Sequence, residues 1–284
     1  MKKLPYYLLL VLILSDVLIW QELFAHSRET ALTVSVLNIS QGDAIFIEAP
    51  NGNQILVDGG PNKKILSELS KVMSLYDRTI DVLIVTNPDK DHMAGFIDVL
   101  KNYSIGAVLE PGTISTTATY RELERTIAEK KVPRRLARRG MDVVLQDGVY
   151  LHILFPDRDV SKAKINDGSV VSKLTYGNTS FMLTGDAPKN VEDYLILLDG
   201  KNLTSNVLKV GHHGSRTSTG EMFVAVVSPT YAVISAGRNN KYGHPHQETL
   251  DNLKAFGVKI FRTDEIGRVT FTSNGKTVSF KQAP

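Results

Sequence analysis

The chain has 284 residues, of which 42% are hydrophobic, and a formal net charge of +3. This length and composition exclude a disordered protein and suit one large domain or two small ones. Cysteine is absent, which excludes disulfides and thiolate metal ligands, so the fold depends on packing. The small net charge by itself indicates nothing about nucleic acid.

The N-terminal segment, residues 1–24, contains an apolar run at 4–23 that follows two lysines. A run of this length can cross the roughly 30 Å of bilayer hydrocarbon as a helix. Residues 23–25 lack the small-x-small pattern that processing prefers, which favours an uncleaved membrane anchor over a cleaved signal peptide. The lysines predict a cytoplasmic N-terminus and a single-pass membrane protein whose main domain is extracytoplasmic, or secreted if the segment is cleaved.

The remaining chain is predicted to form a linker at 25–31 and one domain at 32–284. Apolar runs between Gly and Asn turns predict strands, and helical spacing of apolar residues predicts helices. The predicted strands are 32–37, 44–48, 54–58, 82–85, 143–145, 149–155, 170–176, 180–184, 207–210, 232–235 and 259–262, followed by a hairpin that turns at 274–275. The predicted helices are 63–76, 93–102, 220–227 and 247–256. Two half-domains of strands followed by helices predict two sheets packed face to face with helices outside.

A cluster of metal-ligand side chains directly follows the predicted strand at 82–85. Asp89, Asp91 and His92 lie within four residues, and a tight turn at the strand end would let all three face one ion. Asn87 is the weak member, because a neutral amide is a poor ligand where histidine would be a good one. The alternative is a plain turn, since Asn, Pro and Asp favour such positions.

Four further motifs fall at strand ends or on loops. Asp58-Gly59-Gly60 joins an acid to a sharp bend, although this pattern is often only a turn. Asp186, after the strand at 180–184, could bridge two ions or cap the next helix. The pair His212-His213 between glycines is a strong signal, because such histidines seldom serve a core. His244 lies on a loop, behind the ligands or facing the substrate. These donors fit zinc or manganese, with the carboxylates favouring manganese.

The ordered series of these motifs resembles the metallo-β-lactamase superfamily, and within it the extracytoplasmic metallo-β-lactamase-like domain of ComEC-type competence proteins. Residues 38–44 and 243–245 are similar to further motifs of that subfamily, as are Asn166, Asp167 and Ser169. The resemblance covers Leu32 to about Phe280. It implies an α/β (α+β) fold, a four-layer αβ/βα sandwich, with a dinuclear centre at the strand ends.

The resemblance also implies roles for the donors. Asp91 and His92 would bind one ion, Asp186 would bridge, and His212 or His213 would complete the shell, with Asp89 standing where many members have a second histidine. Asn87 replaces the histidine usual at its position, which makes it a degenerate ligand position. One or two ions of Zn or Mn would activate water, which Asp89 or Asp91 would orient or deprotonate. His244 would stabilise charge or assist the leaving oxygen.

The resemblance implies a hydrolase, a phosphodiesterase or nuclease that acts on DNA during uptake or scavenging, and the apolar run at 4–23 predicts that it is membrane-anchored. Uptake would need a separate channel protein, because the chain has one candidate span. One basic run could contact DNA phosphates or anionic lipid headgroups, or it could simply be a face exposed to solvent. Its members are Lys130, Lys131, Arg134, Arg135, Arg138 and Arg139. The competing function is a metal-impaired module of the same fold that binds DNA or a channel, as Asn87 would favour. Lactam or lactone hydrolysis is disfavoured, because Asp89 and the paired histidines fit the competence branch.

Overall fold

The strands and helices form two sheets with helices on their outer faces. The structure, a computed structural model, describes residues 3–26, 31–145 and 148–282, apart from the side chains of 21–26 and 282. The helices are α1 (Leu4–His26), α2 (Lys64–Leu69), α3 (Lys90–Met93), α4 (Gly95–Asn102), α5 (Ala118–Lys130), α6 (Lys189–Asp199), α7 (Glu221–Val227), α8 (Gln247–Ala255) and α9 (Thr263–Ile266).

The first sheet has eight strands in the order β15-β14-β1-β2-β3-β4-β5-β6, and the second has seven in the order β13-β12-β11-β10-β9-β8-β7. Their bounds are β1 (Leu32–Val36), β2 (Ile45–Glu48), β3 (Gln54–Val57), β4 (Thr79–Ile84), β5 (Ser104–Glu110), β6 (Arg134–Leu136), β7 (Asp142–Leu145), β8 (Val149–Phe155), β9 (Val171–Tyr176), β10 (Thr179–Leu183), β11 (Val207–Lys209), β12 (Tyr231–Ile234), β13 (Lys259–Arg262), β14 (Val269–Ser273) and β15 (Val278–Gln282). Strands β3 to β6 run parallel, as do β10 to β13.

Side-chain alternation along the strands builds three cores. In β2, Ile45 and Ile47 belong to the core between the sheets, whereas Phe46 packs against the helices outside the first sheet. In β10, Phe181 faces the central core and Met182 faces the helices outside the second sheet. Successive strand residues point to opposite faces, so strands buried on both faces read as continuous apolar runs. The result is the expected arrangement of helices, sheet, sheet and helices.

The structure differs from the predicted elements in the first half of the chain. The helix predicted at 63–76 ends at Leu69, where the Ser70 hydroxyl donates to the Ser67 carbonyl and so competes with helical bonding. Leu75 and Tyr76, at the end of the predicted helix, are exposed. Strands β5 and β6 and helix α5 were not predicted. In α5 only three residues are buried, which leaves a weak apolar pattern.

The N-terminal segment forms α1, which reaches His26 and so extends into the predicted linker at 25–31. Residues 27–30 of that linker lie outside the described residues. The side chains described in α1 end at Trp20. Over the residues that the structure describes, no helix is long and apolar enough to cross a membrane, so the predicted membrane-spanning helix is not supported.

Candidate metal centre

Loops from both sheets meet at one end of the sandwich. Asp91 and His92 lie in α3, which follows β4 of the first sheet, and Asp186 follows β10 of the second. His213 follows β11, and Asp43 precedes β2. The ends of parallel strands lie at one edge of a sheet, where ligand sites are commonly built. The two sheets therefore bring together donors that are far apart in sequence.

His92 is held from behind by a carboxylate. Its Nδ1 lies 2.8 Å from Asp58 Oδ2, and both residues are buried. Asp58 also accepts hydrogen bonds from the Thr86 backbone N–H and hydroxyl, at 2.8 and 2.6 Å. A carboxylate on the rear nitrogen fixes the orientation and tautomer of a metal-binding imidazole. The Nε2 atom is thus directed forward, 3.1 Å from Asp186 Oδ2.

His213 is held by a longer buried chain of charged groups. Its Nδ1 lies 3.2 Å from Asp43 Oδ1 and 3.1 Å from the Ser235 carbonyl oxygen. The other oxygen of Asp43 accepts a 2.7 Å hydrogen bond from Lys209 Nζ, which also donates to the Val210 carbonyl at 2.9 Å. Lysine is almost never fully buried unless it is paired. Lys209, only 1% exposed, therefore supports the carboxylate that orients His213.

Asp43 reaches the site because Gly42 precedes it. Gly42 has φ of +129°, and a Cβ there would lie 2.1 Å from the Asp91 carbonyl oxygen. The same carbonyl accepts a 3.1 Å hydrogen bond from the Asp43 backbone N–H. Only glycine allows so close a backbone approach. The loop before β2 is thereby fixed against α3.

Four side chains present free ligand atoms to one another. Ligand atoms of Asp91, His92 and His213 all lie within 4.8 Å of each other. His213 Nε2 is 3.4 Å from Asp91 Oδ2 and 3.7 Å from Asp186 Oδ1. His92 Nε2, His213 Nε2 and Asp186 Oδ1 are buried and have no hydrogen-bond partner among the described residues. Buried polar atoms are normally satisfied, so this set fits a divalent cation.

Two other groupings of donors contain Asp43 or Asp58. Those carboxylates already accept hydrogen bonds from Lys209 and Thr86, respectively, in addition to facing a histidine. We therefore place them as supports of the imidazoles and not as ligands.

The charges at this centre are strongly coupled. Burial lowers the pKa of His213, but the carboxylates of Asp186 and Asp43 outweigh it and raise that pKa to about 9 in the absence of metal. Burial raises the pKa of Asp186, but the positive charges of His92 and His213 outweigh it and hold that pKa well below its usual range. A cation in place of these protons would satisfy the same carboxylates, and its binding would release protons.

Asn87 lies beside this centre and is fully buried. Its Oδ1 accepts a 2.9 Å hydrogen bond from the Asp89 backbone N–H, and its Nδ2 has no partner among the described residues. Asp89 is partly exposed, and burial together with the Asp91 charge raises its pKa. Asp89 does not belong to the groups of acidic and histidine side chains whose ligand atoms converge among the described residues.

His212 lies at the edge of the centre. Its Nε2 is 3.7 Å from Asp186 Oδ2, and its Nδ1 lies 3.0 Å from the Thr217 hydroxyl. Both His212 and His213 have positive φ, +48° and +56°. Such backbone strain in non-glycine residues costs roughly 1–3 kcal/mol each and concentrates at functional sites. Of the two predicted candidates, the buried His213 is the one whose ligand atom converges with Asp91 and His92.

The remaining predicted residues border the same region. His244 packs its ring 5.6 Å from that of His212 and 6.3 Å from that of His213. Burial and the positive charges of these histidines lower the pKa of His244 to about 4. Asn166 and Asp167 form a 3₁₀ turn, and the buried Ser169 follows it. Their roles remain predictions.

The basic run does not form a free cationic patch. Three members donate hydrogen bonds within the protein: Arg134, Arg138 and Arg139. The other three are exposed and form no ion pair with any described residue: Lys130, Lys131 and Arg135. The expected contact with DNA therefore rests on three side chains and stays a prediction.

Sequence reasoning missed Asp43 and Lys209 as members of the site. Asp43 lies in the segment 38–44, whose similarity to a subfamily motif was noted without a role. Lys209 interrupts the apolar strand Val207-Leu208-Lys209-Val210 next to the histidine pair. A lysine in a strand that is otherwise buried was the available signal.

Comparisons with known proteins agree with this geometry. The chain is 31% identical over 268 residues to ComE operon protein 3 of Bacillus subtilis, covering 88% of this chain and 34% of that protein. Competence protein ComA of Neisseria gonorrhoeae is 29% identical over 245 residues, covering 86% and 32%. The chain thus spans about a third of the length of these curated relatives.

A solved structure has the same fold. Igni18, a metallo hydrolase from the archaeon Ignicoccus hospitalis, is 14% identical, with a TM-score of 0.56 over 84% of this chain and 98% of its own. Residues 37–238 match the metallo-beta-lactamase superfamily, whose fold implies divalent metal binding. The predicted resemblance is confirmed: this chain belongs to the metallo-beta-lactamase superfamily.

Proposed function

We propose that the chain is a metal-dependent phosphodiesterase that cleaves DNA during uptake or scavenging. The observation that carries the proposal is the convergence of the buried, unpartnered Nε2 atoms of His92 and His213 on the carboxylates of Asp91 and Asp186. The substrate is inferred from the resemblance to competence proteins, which are about three times as long as this chain.

Each residue of the centre has a distinct task in this proposal. Asp91, His92, Asp186 and His213 would hold zinc or manganese, which supplies Lewis-acid chemistry and lowers the pKa of water from 15.7 toward about 7. Asp89 is partly exposed and its pKa is raised, which suits it to accept a proton from the attacking water.

His244 would interact with the substrate as a neutral group. With a pKa lowered to about 4, its imidazole carries no charge at neutral pH. It would therefore stabilise charge or assist the leaving oxygen through a hydrogen bond to a phosphodiester oxygen.

The surface next to His244 supports a nucleic-acid substrate. A cleft of about 560 Å³ is lined by His244, Arg238 and Arg262, and also by Asp264 and Glu265, both of which pair with Arg262. Tyr242 is 52% exposed, stacks on His244 at 5.6 Å, and has Lys241 Nζ 5.0 Å from its ring centroid. Single-stranded nucleic acid is bound by aromatic platforms combined with cations. This loop supplies the aromatic partner that the basic run at 130–139 lacks.

The cellular setting also belongs to the proposal. A domain outside the cytoplasm would meet incoming DNA, and a separate channel protein would move the strand inward. Fractionation of cells that express the full chain, followed by protease treatment of intact cells, would test this location. Protection of the domain from protease until the cells are lysed would contradict it.

The experiment for the activity uses the purified full chain. We expect bound manganese or zinc by elemental analysis, and cleavage of labelled single- or double-stranded oligonucleotides that a chelator abolishes and added metal restores. Folded, metal-loaded protein that leaves both oligonucleotides intact would contradict the proposal.

A second candidate is a non-catalytic module of the same fold that binds DNA or a channel, and the amide at Asn87 favours it. DNA binding without metal and without cleavage would support this alternative.

A further inference from the structure

The Asn87 side of the centre contains buried polar atoms that nothing in the described protein satisfies. Asn87 and Ser169 are each 0% exposed. Asn87 Nδ2 and Ser169 Oγ have no hydrogen-bond partner among the residues described, and neither has the buried Asn166 Oδ1. A buried polar group left unpaired costs roughly 1–3 kcal/mol, so such atoms usually face a ligand or ordered water.

Backbone contacts bring these residues together although about 80 positions separate them. The Val170 backbone N–H donates a 2.8 Å hydrogen bond to the Thr86 carbonyl oxygen. Ser169 and Asn87 are the immediate chain neighbours of that pair. Gly185 borders the same point, since a Cβ there would lie 3.0 Å from Thr86 and 3.4 Å from the Val170 carbonyl oxygen. The backbone positions of residues 87 and 169 therefore lie next to the loop that carries Asp186.

The chemistry of these atoms points away from a second cation. Asn87 Oδ1 is already used by the Asp89 backbone N–H, so the free atom is the Nδ2 donor, which cannot bind a metal ion. Ser169 Oγ is a hydroxyl that can also donate. Two neutral donors beside a metal centre suit an anionic oxygen better than a cation.

We propose that Asn87 and Ser169 form a subsite that binds a non-bridging phosphate oxygen, at the position where a second ion would otherwise contact the substrate. This subsite rests on the proposed phosphodiesterase function, because the phosphate that it would hold belongs to the proposed substrate. Asn166 Oδ1, an acceptor, would bind a water molecule at the edge of the subsite. The centre then uses one ion and two hydrogen-bond donors to hold the phosphate.

The test measures phosphate binding separately from catalysis. Inorganic phosphate is titrated calorimetrically into the metal-loaded full chain and into Asn87→Ala and Ser169→Ala. We expect each substitution to weaken phosphate binding by about tenfold or more, because a hydrogen bond to a charged group is lost. Bound metal per chain and metal affinity should change by less than about twofold. Thermal melting identifies a variant that has merely unfolded. Ser169→Ala removes a single oxygen atom, so it remains a usable test if Asn87→Ala does not fold.

Asn87→Asp sharpens the test, because it replaces the donor by a negative charge of the same shape. We expect phosphate binding to be abolished while metal affinity rises, a pair of opposite changes that a purely structural role would not produce. Unchanged phosphate affinity in both alanine variants would overturn the proposal and leave only structural water at this position. Loss of metal in those variants would also overturn it. Because phosphate binding needs no cleavage, parent protein that binds phosphate through these residues but leaves DNA intact would contradict the proposed activity alone.

Discussion

The two sides of the metal centre differ in the chemistry of their side chains. On the Asp91 side (Asp91, His92, Asp186 and His213), each histidine has a buried carboxylate behind it and one free atom in front. On the Asn87 side (Asn87, Asn166 and Ser169), the buried polar atoms are neutral, and no hydrogen bond to them from a charged side chain is found among the described residues. Charged supports orient ligands for a cation, whereas neutral donors suit an anion. Under the proposed phosphate subsite, the difference means that one side would hold an ion while the other side would contact a phosphate.

The largest effect should come from removing a ligand on the Asp91 side. We expect Asp91→Asn to lose the ion and to lower DNA cleavage by more than about 100-fold, since even the loss of an outer hydrogen bond costs roughly 10- to 100-fold in metal affinity. Elemental analysis and initial rates measure both. Asp98→Asn, which removes a carboxylate from α4, is the matched control and should behave as the parent does. Equal metal content in the parent and Asp91→Asn would refute the ligand assignment.

The buried chain behind His213 allows stability and metal binding to be separated. Lys209→Met leaves the Asp43 carboxylate buried without its cation, and we expect the free energy of unfolding to fall by roughly 3–5 kcal/mol. Adding Asp43→Asn removes both charges and should restore most of that stability. Metal affinity of the double variant should remain roughly 10- to 100-fold below that of the parent, because the carboxylate behind His213 is gone.

Urea unfolding and chelator competition would make these two measurements. A double variant that regains stability and binds metal as tightly as the parent would show that the chain serves the fold alone.

A histidine at position 87 should make the Asn87 side bind metal, as the Asp91 side is expected to do. We expect Asn87→His to raise bound metal above that of the parent, toward two ions, because an imidazole replaces a poor ligand next to Asp89. Phosphate affinity at fixed metal occupancy should fall, since the amide donor is removed. Elemental analysis at increasing manganese concentration measures the gain. If metal content stays at the parent value, Asn87 is not what limits the second ion.

The smallest expected effect is a change of stability with pH, which tests the Asp91 side alone. In metal-free protein the pKa of His213 is raised to about 9 from 6.5, so the folded chain holds a proton that the unfolded chain releases earlier. The resulting stability is fully present below about pH 6.5 and is lost as the pH rises through about 9. Urea unfolding in chelator at several pH values should show this decline. His213→Gln should reduce the decline, although His92 remains, where burial lowers the pKa but the carboxylates of Asp186 and Asp58 outweigh it and raise that pKa. His152→Gln, at a partly exposed histidine paired with Asp142, should leave the decline as in the parent.

The sequence was sufficient for the architecture and for most of the Asp91 side, for identifiable reasons. Asp91, His92, Asp186 and His213 fall directly after apolar strands, and strand ends converge when two sheets pack. The ion pair of Lys209 with Asp43 joins residues 166 positions apart, and no local pattern indicates such a partner. The helix α5 escaped prediction because it buries only Leu123, Thr126 and Ile127. The backbone hydrogen bond from Val170 to Thr86, which brings residues 87 and 169 near each other, joins segments far apart in sequence and has no local sequence signal.

The ligands of this centre come from both halves of the sandwich, with Asp91 and His92 supplied by the first sheet and Asp186 and His213 by the second. An ion held by all four would act as a crosslink between layers that are otherwise joined by apolar packing and by a few polar contacts such as the Lys209–Asp43 ion pair. The stability of the fold then depends on the metal concentration. At a free metal concentration 100 times the dissociation constant, the folded state is stabilised by about 2.7 kcal/mol. Where the surroundings are poor in metal, the two sheets would separate more easily, and resistance of this domain to proteolysis would report how much metal is available.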